Sequence, residues 1–330
     1  MRRREFLGVL SGAAAWPVVA RAQQTRLLGM LMNGNANEPA LQANISAFTQ
    51  GLRDLGWMEG KNLHLEIRWN GGSAERARSF ASELIALSPA ALVSASTTNL
   101  LALRNATNTI PIVFLQVSDP VAQGFVPNLT KPGGNATGFS AYEFSIGGKW
   151  LELLKEISPR LKRVAVMFNP DTSPQSKFFM RAIETAAPGF NIRVEATPVR
   201  SMPDIERAFE TIAREPDCGL IMPTDTFTRT RGEEIAKMTL QRRVPSIGAF
   251  PEFIDEGGLM YYGPSDIENI TGQFRQAAAY VDRLLKGAKA GDLPIQNAVR
   301  FSLLINRKTA AALGLEIPPR LLFTADRVIE

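Results

Sequence analysis

Short apolar runs and amphipathic stretches alternate along the chain from residue 27 onward. Leu27-Leu28-Gly29-Met30-Leu31-Met32 reads as a buried strand, and it ends in the turn-rich Asn33-Gly34-Asn35-Ala36-Asn37. A helix is predicted from about Pro39 to Leu55, with Leu41, Ile45, Phe48 and Leu52 on one face and Gly56 ending it. The pattern continues as a strand from Leu63 to Trp69, a helix from Ala74 to Leu87 and an apolar run from Ala90 to Ser94. A helix opening near Thr98 and a strand from Ile112 to Leu115 follow. Strands separated by helices predict a parallel sheet, because a parallel connection needs a crossover long enough to hold one.

The same order begins again at Val164-Ala165-Val166-Met167-Phe168. Asn169-Pro170-Asp171 and a helix to about Ala187 come next, then strand Ile192 to Ala196 and helix Asp204 to Arg214. Strand Gly219 to Met222, helix Gly232 to Leu240 and strand Ser246 to Ile247 complete the second set. Leu27 and Val164 stand 137 residues apart, and Pro111 and Pro245 stand 134 apart. That near-constant offset reads as two similar halves. The predicted fold is therefore α/β, with two doubly wound parallel-sheet lobes joined by a hinge. Such sheets bind ligands in the crevice beyond the carboxyl ends of their strands. The stretches 132–139 and 258–265, each broken by Gly and Pro, are the candidate crossings between lobes. On this reading residues 23–141 with about 264–293 form one lobe, and 142–263 with about 294–330 form the other.

The first 22 residues differ in kind. Arg2-Arg3-Arg4 precedes Glu5-Phe6-Leu7 and an apolar run from Gly8 to Ala20, the order of a cleavable export signal. Arg3-Arg4-Glu5-Phe6-Leu7 fits the twin-arginine type, and Ala20-Arg21-Ala22 supplies small residues before a cleavage point at Gln23. The apolar run carries Pro17 and is shorter than the roughly 20 residues that span a bilayer, so a periplasmic protein touching the membrane only through a partner is expected. Loss of this segment removes four arginines and one glutamate and lowers the formal net charge from +5 to +2. No concentrated basic stripe remains to recruit nucleic acid.

Hydrophobic residues make up 45% and charged residues 21%, which are globular values. One cysteine, Cys218, and one histidine, His64, exclude an intramolecular disulfide and the common Cys/His zinc sites. His64 lies in the alternating stretch Asn62–Trp69 and reads as a surface residue of a strand. No cofactor and no metal are expected, and the chain is expected to be a monomer.

Several blocks resemble one family. These are Gly51-Leu52-Arg53-Asp54-Leu55-Gly56-Trp57-Met58-Glu59-Gly60-Lys61-Asn62, Thr109-Ile110-Pro111-Ile112-Val113-Phe114, Ser118-Asp119-Pro120-Val121, Lys131 to Gly138, and Gly257 to Pro264. In this order they resemble the ABC transporter substrate-binding proteins of type I periplasmic fold that include tryptophan- and tyrosine-binding members. The resemblance implies a two-lobed receptor that closes on a small molecule, feeds a permease with a cytoplasmic ATPase, and catalyses nothing. Where such proteins often carry Gly-Thr-Pro after the third strand, this chain has Ser96-Thr97-Thr98-Asn99.

The strand ends supply the candidate ligand contacts. Ser96, Thr97 and Thr98 open a helix, where hydroxyls and free N–H groups suit a carboxylate, though the same residues also serve as caps. Asp119 is placed either to pair with a ligand ammonium or to begin the next short helix before Pro120. Asn169, Thr224 and Asp225 occupy the facing positions of the second half and serve equally as turn or cap residues. Phe250 stands beyond the fourth strand as a surface for a planar group or as a core anchor. Amino acids or aromatic carboxylates fit this set. An α/β enzyme acting on a small carboxylate in the same cleft is the alternative, and phosphate-binding glycine loops are absent from the sequence.

Overall fold

A computed structural model describes residues 25–214, 216–265, 267–298 and 300–330, with side chains left aside at 267–270. Residues 1–22, expected to be an export signal, lie outside the described residues. The first half runs β1 (Arg26–Met32), α1 (Pro39–Asp54), β2 (Leu63–Trp69), α2 (Ala74–Ala86), β3 (Ala91–Ala95), α3 (Thr97–Ala106), β4 (Ile112–Ser118) and β5 (Ala136–Tyr142). The second runs α4 (Ile146–Ile157), β6 (Arg163–Phe168), α5 (Ser176–Ala186), β7 (Arg193–Pro198), α6 (Met202–Ala213), β8 (Cys218–Met222), α7 (Thr226–Arg229), α8 (Gly232–Gln241), β9 (Ser246–Gly248), α9 (Glu252–Asp255) and β10 (Met260–Pro264). The tail adds α10 (Ile267–Leu285), β11 (Gln296–Asn297), β12 (Phe301–Asn306), α11 (Arg307–Ala312), α12 (Pro319–Thr324) and β13 (Arg327–Ile329).

Two sheets result. The first has the order β11-β5-β4-β3-β1-β2, and the second β13-β12-β10-β9-β8-β6-β7. Stripped of the tail strands, both follow the same doubly wound path, second-first-third-fourth-fifth. Every pairing is parallel except β10 with β12. The chain passes between sheets three times: after β5, between β10 and α10, and between β11 and β12. The last passage explains why Gln296 and Asn297 still pair with Phe139 and Ser140 of the first sheet.

Alternation in β1 sends Leu28, Met30 and Met32 into one layer and Leu31 into the other, the period-2 signature of a strand buried on both faces. The first layer is closed by α1 and α10, which pack together, with Phe48 and Leu52 meeting Phe274, Ala277, Ala278 and Val281. Trp57 Nε1 donates to Asp282 Oδ1 at 2.9 Å within this interface, so a buried indole is satisfied while α10 is held in place. On the second sheet, Trp150 of α4 donates to the Tyr262 carbonyl of β10 at 2.7 Å and packs on Phe179.

A bulge in β4 shapes the crevice. Phe114 pairs with Gly138 and Val117 with Ser140, so Leu115 and Gln116 together oppose Phe139 alone. Gln116 takes φ +56° there and turns toward the crevice. Gly138 has φ +149°, and a Cβ at this position would stand 2.0 Å from the Phe114 carbonyl oxygen. Only glycine lets β5 approach β4 this closely.

A candidate ligand-binding cleft between two sheets

In a 2-1-3-4-5 sheet the crevice opens where the path reverses, between the first and third strands. In the first half those strand ends carry Asn33, after β1, and Ser96, Thr97 and Thr98, after β3. In the second half they carry Asn169, Thr172 and Gln175, after β6, and Thr224 and Asp225, after β8. The two sets face each other. One cavity is lined by Asn33, Ser96, Thr97, Thr98 and Gln116 from one side and by Thr172, Gln175, Thr224, Asp225 and Phe250 from the other. Tyr142 and Tyr261 from the crossing strands and Gln273 of α10 also line it.

The two rims touch. Thr98 Oγ1 donates to the Thr172 carbonyl at 2.7 Å, Ser118 Oγ lies 3.3 Å from Thr224 Oγ1, and the Tyr142 hydroxyl donates to the Ala249 carbonyl. Burial pushes the Tyr142 phenol well above its ordinary pKa, so it stays a neutral donor. With the rims in contact, the void between them is about 50 Å³. The cleft is thus formed but narrow.

Each residue named from the sequence has a definite place. Ser96 caps α3 with its hydroxyl accepting from Asn99 N at 3.3 Å, and it does so at φ +99°, a strained conformation for a residue with a side chain. Thr97 and Thr98 are the first two residues of α3, so their amides have no acceptor within the helix and point out of its positive end. Thr97 Oγ1 accepts from Ser118 N at 3.4 Å. Phe250 is half-buried, lines the cavity, and lies with its ring 5.2 Å from the Arg229 guanidinium, which pairs with Glu252 at 2.8 Å.

The acidic and amide residues take the turn and cap roles that the sequence left open beside ligand contact. Asp119 lies outside the cavity lining; its carboxylate accepts from Ala122 N at 3.0 Å and caps the turn after β4. The short helix expected at Pro120 is a hydrogen-bonded turn instead, with Gln123 N donating to the Asp119 carbonyl at 3.2 Å. Asn169 is also outside the lining, with Oδ1 accepting from Asp171 N at 2.8 Å. Asp225 does line the cavity, but its oxygens accept from Asn169 N at 2.8 Å, Phe227 N at 3.0 Å, Thr228 N at 3.3 Å and the Thr172 hydroxyl. Burial raises the pKa of this carboxylate, while those four donors pull it back. Neither acid is positioned to meet a ligand cation directly.

Sequence reasoning passed over Asn33, Gln116, Thr172, Gln175, Tyr142, Tyr261 and Gln273. Asn33 had the same signal as Asn169, the first polar residue after the first strand of its half. Gln116 depends on a bulge, and Gln273 arrives from a helix far along the chain, so local pattern carries neither. Among the described residues, no group of three or more His, Cys, Asp or Glu side chains comes together, and no helix is long and apolar enough to cross a membrane. His64 is exposed and lies 3.0 Å from Glu59, and Cys218 is buried, its thiol pKa raised by that burial.

Comparison with known proteins agrees with this geometry. The chain is 28% identical over 278 residues to the tyrosine-binding protein of Clostridioides difficile strain R20291, covering 84% of this chain and 78% of that protein. The crystal structure of a conserved domain protein from Vibrio cholerae superimposes with a TM-score of 0.81 at 30% identity, covering 92% of this chain and all of that one. A Streptococcus pneumonia ABC domain in complex with L-Trp shares the fold with a TM-score of 0.78 at 23% identity, over 93% of this chain and all of that one. The architecture is that of the type I periplasmic binding proteins. Residues 35–329 match the family described as ABC transporter substrate binding protein, and the chain belongs to that family.

Proposed function

We propose that this substrate-binding protein is exported, captures an amino acid or aromatic carboxylate between its two sheet units, and delivers it to an ABC importer. The single observation behind the reading is the cavity built from matching strand ends of two similar sheets. Two features support a carboxylate ligand: the outward amides of Thr97 and Thr98 at the start of α3, and the hydroxyls beside them. Phe250, Tyr142 and Tyr261 offer apolar faces to a side chain. The relatives named for tyrosine and L-Trp add weight to an aromatic amino acid.

Closure is the mechanism. The narrow void admits a solute only when the units part, and the contacts Thr98–Thr172 and Ser118–Thr224 re-form when they close. The three chain passages beside β5, β10 and β11 act as the hinge, absorbing the rotation in a few backbone dihedrals. The closed form is then what a permease with its cytoplasmic ATPase recognises. Residues 1–22 direct export to the periplasm, and replacement of Arg3 and Arg4 by lysine should leave the protein in the cytoplasmic fraction.

A thermal-shift screen of the purified protein against amino acids and small aromatic acids tests the ligand class. A ligand at about 100 times its Kd adds about 2.7 kcal/mol of stability. Stabilisation by some unrelated solute and by none of these compounds would overturn the reading.

A further inference from the structure

The cleft offers more hydrogen-bond acceptors than the chain itself satisfies. Gln175 Nε2 donates to the Thr224 carbonyl at 2.7 Å and reaches Thr224 Oγ1 at 3.2 Å. A carbonyl oxygen can only accept, so this amide is fixed in orientation and Oε1 is the atom left over. That oxygen is buried without a partner, and Gln175 is only 4% exposed. Asn33 and Gln273, 4% and 8% exposed, each leave a buried amide oxygen in the same condition. All three side chains line the one cavity, though they come from the end of β1, the loop before α5 and the interior of α10.

A buried acceptor without a donor is unfavourable, because it has given up its water. Three residues lining one void, each with such an oxygen, call for a group that donates several hydrogen bonds. Among the described residues, Asp225 is the only charged residue in the lining, and its oxygens are already occupied by four donors. A primary ammonium carries three N–H donors and no acceptor, which matches three amide oxygens. Thr97 and Thr98, whose amides have no acceptor within α3, line the same cavity and suit the carboxylate of the same molecule.

We infer that the protein selects α-amino acids over deaminated acids of the same shape, holding the ammonium with the neutral amide oxygens of Asn33, Gln175 and Gln273. This rests on the amino-acid reading above and replaces a carboxylate partner with uncharged ones. A site built to pair a donor rejects the analogue that lacks it, because its acceptors then stay unpaired.

The test is calorimetric Kd measurement for two pairs, L-tryptophan with indole-3-propionate and L-tyrosine with 3-(4-hydroxyphenyl)propionate. Wild type should prefer the amino acid of at least one pair by about a hundredfold. Asn33→Leu, Gln175→Met and Gln273→Met should each lower that preference about tenfold, with affinity for the deaminated acid kept within about threefold. Asp119→Asn should leave the preference unchanged. Because Gln175 also holds Thr224, the Asn33 and Gln273 variants carry the test if the Gln175 variant fails to fold. Equal wild-type affinity for the two members of each pair would overturn the inference while leaving the ligand class standing. So would a preference that survives all three amide substitutions or collapses in Asp119→Asn. Absence of binding to all four compounds, together with no shift for any amino acid in the thermal screen, would sink the amino-acid reading itself.

Discussion

The loop after β3 and the loop after β8 occupy the same position in two sheets of the same order, yet they spend their polar groups differently. Ser96-Thr97-Thr98 opens a ten-residue helix and leaves the Thr97 and Thr98 amides pointing outward. Thr224-Asp225-Thr226 opens a four-residue helix, and the Asp225 carboxylate gathers the Phe227 and Thr228 amides, the Asn169 amide and the Thr172 hydroxyl onto itself. One rim keeps its donors for something else, while the other uses them to brace its own loops. Equivalent topology therefore marks where a ligand contact can arise, and the local hydrogen-bond inventory decides whether it does.

Asp225→Ala should have the largest effect. It strands four donors in a buried loop and should lower stability by about 3 kcal/mol, read from the denaturant midpoint at unchanged m-value. A loss within about 0.5 kcal/mol would mean the second rim is less braced than its bonds indicate. Phe250→Ala comes next: loss of an aromatic face from the cavity should weaken ligand affinity about tenfold, measured by calorimetry, with little change in the melting temperature.

Thr98→Val tests the contact between rims. It removes the 2.7 Å bond to the Thr172 carbonyl while preserving side-chain shape, and should disfavour closure by about 1 kcal/mol. Small-angle scattering of the ligand-free protein should then show a larger radius of gyration for the variant, and ligand affinity should fall about fivefold.

The second rim also carries a carboxyl group that titrates close to neutrality. Glu256, beside Glu252 near Phe250, has its pKa raised from 4.5 to about 7, first by burial and then by the Glu252 charge. An acid raised in the folded state is favoured there in its neutral form. Stability from this group is therefore full below about pH 4.5 and declines as pH climbs to about 7. Glu256 is half-buried, so solvent screening reduces the span to about 1 kcal/mol. Glu256→Gln should flatten that part of the melting temperature against pH, and an unaltered slope would assign it to other groups.

The fold was largely legible because its determinants are local. Period-2 and helical apolar patterns placed β1, α1 and β6 to within a residue or two, and the 137-residue offset from Leu27 to Val164 announced the second sheet. The site was legible only in outline. Ser96, Thr97, Thr98, Thr224, Asp225 and Phe250 do line the cavity, as strand-end reasoning expects. What a strand-end residue does there depends on partners distant in sequence: Asp225 is consumed by Asn169 and Thr172, more than fifty residues earlier. Gln273 reaches the cleft only because α10 returns to pack on α1. Asp119 shows the opposite case, since its role was fixed by its immediate neighbours, Pro120 and the turn to Ala122.

Residue-resolved amide hydrogen exchange, with and without saturating L-tyrosine or L-tryptophan, compares the two rims most directly. The account predicts that the Thr97 and Thr98 amides exchange quickly in the free protein and slow by at least about tenfold on binding, while those of Phe227 and Thr228 are slow in both states. Ligand-dependent protection at Phe227 and Thr228, with none at Thr97 and Thr98, would contradict it.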